Sequence, residues 1–159
     1  MNLAALSAES PMVACDVVRG VTRMFHHLGL AALAEVPLRN GRRADVYAID
    51  AKGEIVICEV KVSLADLRGD MKWPDYLDFC DRFFWAVPPH IPAAILDEPA
   101  FRPEISGVIV ADRFDAAILR NAPASPLPAA RRRTEILRFG RLAASRFQRS
   151  EDPFFGELS

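Results

Sequence analysis

No stretch of this 159-residue chain approaches the ~20 consecutive apolar residues needed to cross a bilayer, and no basic segment at the N-terminus leads into an apolar one. A soluble, cytoplasmic, non-exported protein is expected. Cysteine is scarce: Cys15, Cys58 and Cys80 are odd in number, isolated in apolar surroundings and without C-x-x-C spacing, which excludes a disulfide framework and reads as three reduced core residues. His26, His27 and His90 have no ligand spacing with one another or with the cysteines, so a histidine-built metal centre is not indicated and surface or cap positions are expected. The absence of G-x-x-x-x-G-K excludes a nucleotide-driven motor. Internal repeats and low-complexity segments are also absent. Neither sign of charge dominates: 20 Lys+Arg face 21 Asp+Glu, a net charge of -1, so only the placement of charge can point to a polyanionic partner.

With 51% hydrophobic residues the chain suits one domain with a sizeable core, spanning 1-159. Ser10-Pro11 followed by Val13, Val17, Val21, Phe25 and Leu28 predicts a first helix from Pro11 to Leu28, ending near Gly29. "AEVPLRNGRRADVYAID" reads as two strands joined at Asn40-Gly41, a strong hairpin signal, and a second turn over Asp50 to Gly53 leads into a third strand. Two short helical pieces are expected in "SLADLRGDMKWPDYLDFC", broken at Gly69 and Pro74. The strand "RFFWAVP", a proline-rich loop with one helical turn near Ala94, and the strands "SGVIVAD" and "AAILRNAP" follow. A last helix is predicted over about 128-149, with a loose tail over 150-159. This order gives an α/β (α+β) layer fold around one mixed sheet flanked by helices.

The third strand, "EIVICEVKVS", poses the chemical question. Glu59 and Lys61 are two apart in an otherwise apolar strand, so they project from the same face. Buried charge is tolerated only when paired, metal-bound or at a solvated cleft. On the preceding strand Arg43, Asp45, Tyr47 and Ile49 share one face, and a short turn makes the two strands neighbours, which sets Asp45 beside Glu59. Two carboxylates so close repel. Lys61 would compensate part of their charge, and a divalent cation held by carboxylate and carbonyl oxygens the rest; Mg²⁺ or Mn²⁺ suits such oxygens and a substrate phosphate. A salt-linked pair on an edge strand is the alternative for the E-x-K triplet alone.

Two further clusters carry charge. Asp66, Asp70, Lys72, Trp73, Asp75, Tyr76 and Asp81 crowd the segment after Lys61, as residues around a cleft or as a solvated helix face with Trp73 and Tyr76 in the core. Lys72 and Tyr76, at i and i+4, are candidates for phosphate contact. On the last helix Arg131, Arg138 and Arg149 nearly superpose at ~100° per residue, Arg132, Arg141 and Arg146 flank them, and Ile136, Gly140, Ala143 and Phe147 lie opposite. Such an arginine face is expected to contact nucleic-acid backbone, because arginine binds phosphate in a bidentate manner.

Asp45 followed by Glu59-Val60-Lys61 on successive strands after a helix resembles the PD-(D/E)XK nuclease superfamily. "GRRADVYAID", "EVKVSLADLRGDMKWPDYLDFCDRFFWAVP" and "GVIVAD", with the arginine-rich end, are similar to the MmcB-like DNA repair proteins over about Val13 to Arg149. The resemblance implies a restriction-endonuclease-like core, with Asp45 and Glu59 as metal-binding acids, the Val60 carbonyl as a further ligand and Lys61 as the catalytic lysine. The superfamily's additional glutamate has two candidates, Glu9 and Glu35, of which Glu35 is preferred because the hairpin brings it toward Asp45. The expected function is a Mg²⁺-dependent endonuclease of DNA repair. The alternative is an inert nuclease-fold module that binds DNA or recruits another repair protein. A homodimer is expected if one small subunit cannot span a duplex.

Overall fold

Two tight turns shape the first half of the sheet. In the computed structural model, which describes residues 12–156, the chain reverses between β1 (Ala31–Pro37) and β2 (Arg43–Ile49). Gly41 sits there at φ +84°, a conformation suited to glycine, and its N–H donates to the Leu38 carbonyl at 3.1 Å. The second reversal is held by Asp50, whose carboxylate accepts the amides of Lys52 and Glu54. It delivers the chain into β3 (Ile55–Val60), every residue of which is buried.

A strand buried on both faces belongs at the centre of a sheet. β3 pairs antiparallel with β2 and parallel with β4 (Arg82–Val87); β4 pairs parallel with β5 (Ser106–Ala111), and β5 antiparallel with β6 (Ala116–Arg120). The order is β1-β2-β3-β4-β5-β6, so the sheet is mixed as expected. Parallel neighbours require crossovers. The first carries α2 (Leu64–Gly69), capped by the Ser63 hydroxyl accepting from the Asp66 amide, and a 3-10 helix over Trp73–Phe79. The second carries 3-10 turns over Ala93–Asp97 and Pro99–Phe101.

One face of the sheet is covered by α1 (Ala14–His27), whose Val17, Val21, Met24 and Phe25 pack with Val46, Ala48, Val56, Cys58 and Phe84. Asp16 accepts from the Val13 amide at 3.1 Å and closes the first turn, while the expected start at Ser10-Pro11 lies outside the described residues. Gly20 is where α1 meets the β5–β6 turn: an added Cβ would stand 2.1 Å from the Asp112 carbonyl oxygen. The other face carries an aromatic core in which Trp73 meets Phe83 and Trp85 at 5.1 and 5.3 Å between ring centres. Cys58 and Cys80 are buried free thiols, whereas Cys15 is exposed and so is not the core residue expected of it.

α3 (Ala129–Glu151) lies over this second face and ends two residues later than expected, and its orientation is a correction. Arg131, Arg132, Arg138 and Arg146 are turned inward, whereas Arg133 and Arg141 are exposed. Arg131 stacks on the Phe79 ring at 4.7 Å, Arg138 reaches the Glu135 carboxylate and the Pro37 carbonyl, and Arg146 donates to the carbonyls of Ala34 and Glu35. Ile136, Gly140 and Phe147, expected on the packing side, are exposed; Arg149 is exposed as well. The reason is chemical: the seat for α3 offers carbonyl oxygens, an aromatic ring and the buried Asp81 carboxylate, which guanidinium groups satisfy, and an apolar surface that takes Phe139 and Leu142 of the same side. Glu135, 2% exposed, accepts from the Tyr47 hydroxyl at 3.3 Å and pairs with Arg138.

The tightest of these attachments is at Asp81. Its carboxylate accepts the amides of Ile55 and Leu127 at 2.7 and 2.8 Å and receives both terminal nitrogens of Arg132. Burial alone would raise this carboxyl, yet the Arg132 guanidinium and the two amides hold it below the usual carboxylate range. Asp81→Ala is expected to lower unfolding free energy by about 3 kcal/mol or more, because it leaves Arg132 and two amides without their acceptor. Urea denaturation near neutral pH measures this.

Candidate functional site

The β2–β3 ladder runs from Ile49 opposite Ile55 to Val46 opposite Cys58 and then gives way to side chains. Beyond it the Asp45 amide donates to Glu59 Oε1 at 3.1 Å, and the Val60 amide donates to Asp45 Oδ2 at 2.8 Å. Each acid thus binds the other's strand. The reciprocal clasp brings the two carboxylates together, as the strand parity predicts, and leaves Asp45 Oδ1 and Glu59 Oε2 as the oxygens the pair has to offer.

Lys61 and Arg43 offset part of the Asp45 charge and Lys61 part of that of Glu59, but burial outweighs them. Burial pushes both carboxyls up, and the neighbouring Asp45 charge adds to the effect on Glu59, whose pKa is raised to about 8. Lys61 compensates part of that charge, as expected, since it lowers both carboxyls, but its ammonium is ion-paired with a third acid. Its Nζ lies 2.8 Å from Asp70 Oδ2, with both side chains mostly covered. The physical reason is proximity: Asp70 ends α2 directly after β3 and supplies a carboxylate whose oxygens are not already held by β-strand amides. The Lys61 backbone meanwhile continues the sheet, its amide donating to the Ala86 carbonyl at 3.0 Å.

Asp45, Glu59 and Lys61 line a cleft of about 830 Å³. Arg42, Arg43 and Lys72 bring positive charge to the same cleft. Arg42 is shared with Asp75 at 3.0 Å, whereas Lys72 is exposed at the start of the Trp73–Phe79 helix. Tyr76 also lines the cleft but is largely buried, with its hydroxyl donating to the Arg43 carbonyl at 3.1 Å. Met71, 77% exposed, stands between Asp70 and Lys72.

The remaining candidates lie elsewhere. Glu35 sits at φ +51°, is exposed and lies 3.5 Å from Arg43, outside the cleft lining. Arg131, Arg138 and Arg149 are on α3, also outside it. Glu9 is outside the described residues. Arg42 and Met71 were not singled out for this cleft by sequence reasoning. The parity of Arg43 with Asp45 was visible, and Asp70 stood in the acidic cluster, but nothing in the spacing paired it with Lys61.

Two carboxylates at one site are hard oxygen ligands of the kind Mg²⁺ or Mn²⁺ prefers, and their mutual repulsion gives a cation something to neutralise. Among the described residues no group of three or more histidine, cysteine, aspartate or glutamate side chains has metal-binding spacing. The pair would therefore take its further ligands from backbone, water and substrate. The donor chemistry fits.

The raised Glu59 carboxyl has a consequence for stability. A folded-state value near 8 against an ordinary 4.5 means that the folded protein holds the extra proton across that window. The contribution is present below about 4.5 and is lost as pH rises through about 8. Glu59→Gln keeps the acceptor for the Asp45 amide and removes the charge, so it is expected to stabilise the protein by on the order of 2 kcal/mol at the upper end of that window. Melting temperatures across the range should converge at acid pH; a constant difference would refute the assignment.

A family model for the MmcB-like DNA repair proteins matches residues 2–154. Among solved structures, the SPO1766 protein of Silicibacter pomeroyi, of unknown function, is 40% identical; the alignment covers 95% of this chain and 98% of that one, with a TM-score of 0.83. No curated protein matches the chain.

Proposed function

The chain belongs to the MmcB-like DNA repair family, and from that premise we propose that it hydrolyses phosphodiester bonds in DNA with the aid of a divalent cation. The observation that carries the proposal is the reciprocal clasp of Asp45 and Glu59, which brings two carboxyl groups that hold protons unusually well, and would exchange them for a cation, into a cleft bordered by cationic side chains. Asp45 and Glu59 would hold the cation, together with the Val60 carbonyl. When bound, it would polarise a phosphoryl oxygen and favour ionisation of the attacking water. The succession of Asp45, Glu59 and Lys61 over two adjacent strands supports assignment to the PD-(D/E)XK superfamily.

The chain's own residues have distinct tasks in this reading. Arg42, Arg43 and Lys72 bind backbone phosphates on either side of the scissile bond and orient it over the acids. Lys61 donates hydrogen bonds to the phosphoryl oxygens as negative charge grows on them, and contributes most in the transition state. Asp70 holds the ammonium at the cleft until a phosphate arrives. Water adds to phosphorus, the bond to one ester oxygen breaks, and that oxygen leaves with a proton. The arginine face expected on α3 is not assigned this role, because Arg131 and Arg138 are already engaged with Phe79, Glu135 and Pro37.

A second reading is favoured by one observation, the Lys61–Asp70 pair at 2.8 Å. If that pair persists with DNA bound, the protein is a DNA-binding or partner-recruiting module that cleaves nothing.

Two measurements separate these readings. Mg²⁺ or Mn²⁺ at about 100 times its dissociation constant should stabilise the wild type by about 2.7 kcal/mol. Asp45→Asn should lose that response, and an equal shift in both proteins would remove the cation site. A panel of flapped, branched, single-stranded and duplex DNAs should then reveal metal-dependent cleavage that Lys61→Ala reduces at least about 100-fold while binding persists. Binding without cleavage by the wild type under any metal would establish the second reading.

A further inference from the structure

Lys61 is fixed at its backbone and free only along its side chain. Its amide donates to the Ala86 carbonyl at 3.0 Å, and the His90 ring meets the Val62 carbonyl at 3.1 Å, so β4 and the second crossover hold the chain on either side of it. The flexible four-carbon stem can carry the ammonium from one acid to another without disturbing the sheet. Asp45, Glu59, Asp66 and Asp70 all line the cleft that Lys61 also lines. The ammonium is close enough to lower the carboxyls of Asp45 and Glu59, yet its ion pair is with Asp70, 2.8 Å away.

The position of Asp70 is built into the fold. It closes α2, whose start is capped by Ser63, whose Leu67 is fully buried, and whose Arg68 binds both oxygens of Glu98 at 2.9 and 3.0 Å. Asp70 Oδ1 accepts the Lys72 amide at 3.2 Å, which leaves Oδ2 for Lys61. The two side chains are only 17% and 15% exposed, so salt and water screen this pair less than one at the open surface.

Without the Asp70 charge the ammonium would be drawn elsewhere. Asp66, the remaining acid of the cleft, is exposed, and an ion pair there contributes little. The Asp45–Glu59 pair is buried and repels itself, so an ammonium gains most beside it. Lys61 would then neutralise the acids with the chain's own charge.

We propose that Asp70 is a positioning residue that keeps the acid pair open to a divalent cation, by holding the Lys61 ammonium away from Asp45 and Glu59 until substrate phosphate takes it over. The inference rests on the cation reading of the cleft and adds to it an order of events: the acids are filled first, and Lys61 turns to phosphate afterwards.

Asp70 also raises the Glu59 carboxyl by its own charge, a smaller effect than burial and the Asp45 charge, and a double-mutant cycle separates this direct route from the one through Lys61. The affinity for Mn²⁺ is measured by titration calorimetry on the full chain for the wild type, Asp70→Asn, Lys61→Met and the double variant. Asn keeps an oxygen for the Lys72 amide, and Met keeps the length of the stem. Asp70→Asn is expected to weaken Mn²⁺ binding at least about 10-fold in the wild-type background and less than about 3-fold in the Lys61→Met background. Equal weakening in both backgrounds, or none in the first, overturns the inference and leaves the cation reading standing. A wild type that binds no Mn²⁺ overturns both. If Asp70→Asn fails to fold, Asp70→Ser, which also removes the charge and retains an oxygen, carries the cycle with the same expectations.

Discussion

The carboxylate of Asp81 is the interaction on which the architecture turns. It accepts the amide of Ile55 at the entry to β3, accepts that of Leu127 ahead of α3, and binds the guanidinium of Arg132 on α3 itself. One buried charge therefore fastens the amino-terminal end of the central strand to the element covering that face. The charge is tolerated because it is fully matched. At the other end of β3 the situation is reversed: Asp45 and Glu59 are bound to amides and Lys61 is ion-paired with Asp70, so burial outweighs the help of Lys61 and both carboxyls are raised. The strand is satisfied at its entry and unsatisfied at its exit. The same fold matches one buried acid with an arginine and leaves the pair at its cleft without one, which is the contrast on which the cation proposal rests.

Much of this frame was legible in the sequence because short-range chemistry dictated it. Asn40-Gly41 and Gly53 required particular turns, and the alternation in Arg43–Ile49 and the spacing of Glu59 and Lys61 gave faces that the sheet retains. Asp45 and Glu59 met because neighbouring strands joined by a tight turn have little freedom of register. What was not legible depended on choices between distant partners. Lys61 had two acids on its own sheet and one on the next helix, and spacing alone does not rank them. The wheel of α3 set the arginines opposite Ile136, Gly140, Ala143 and Phe147, but the inward side, which also holds Phe139 and Leu142, was decided by Tyr47, Phe79, Asp81 and the β1 carbonyls, none of which a helix pattern contains.

The arginines of α3 also show why a charged stripe is a weak guide to a nucleic-acid surface. A guanidinium carries five donors and needs acceptors wherever it lies; a phosphate is one source and an edge strand another. Here the strand prevails at Arg138 and Arg146, and an aromatic ring takes Arg131. The cationic groups beside the acids, Arg42, Arg43 and Lys72, are fewer and scattered through the sequence, and the fold alone assembles them. In the conspicuous basic helix Arg131, Arg132, Arg138 and Arg146 are thus tied into the fold, and the phosphate contacts proposed for this protein rest on the cleft instead.

The bond from Arg146 to the Ala34 carbonyl spans 112 residues of chain. During synthesis β1, β2 and β3 emerge long before α3, so the β1 edge has no cover until nearly the whole polypeptide has left the ribosome. Contacts so distant in sequence form late because a large loop must close first. For most of its translation the nascent sheet therefore exposes an unprotected strand, and the last helix acts as the stopper. A chain released early, short of Arg138, would lack it and would be a target for chaperones or for aggregation.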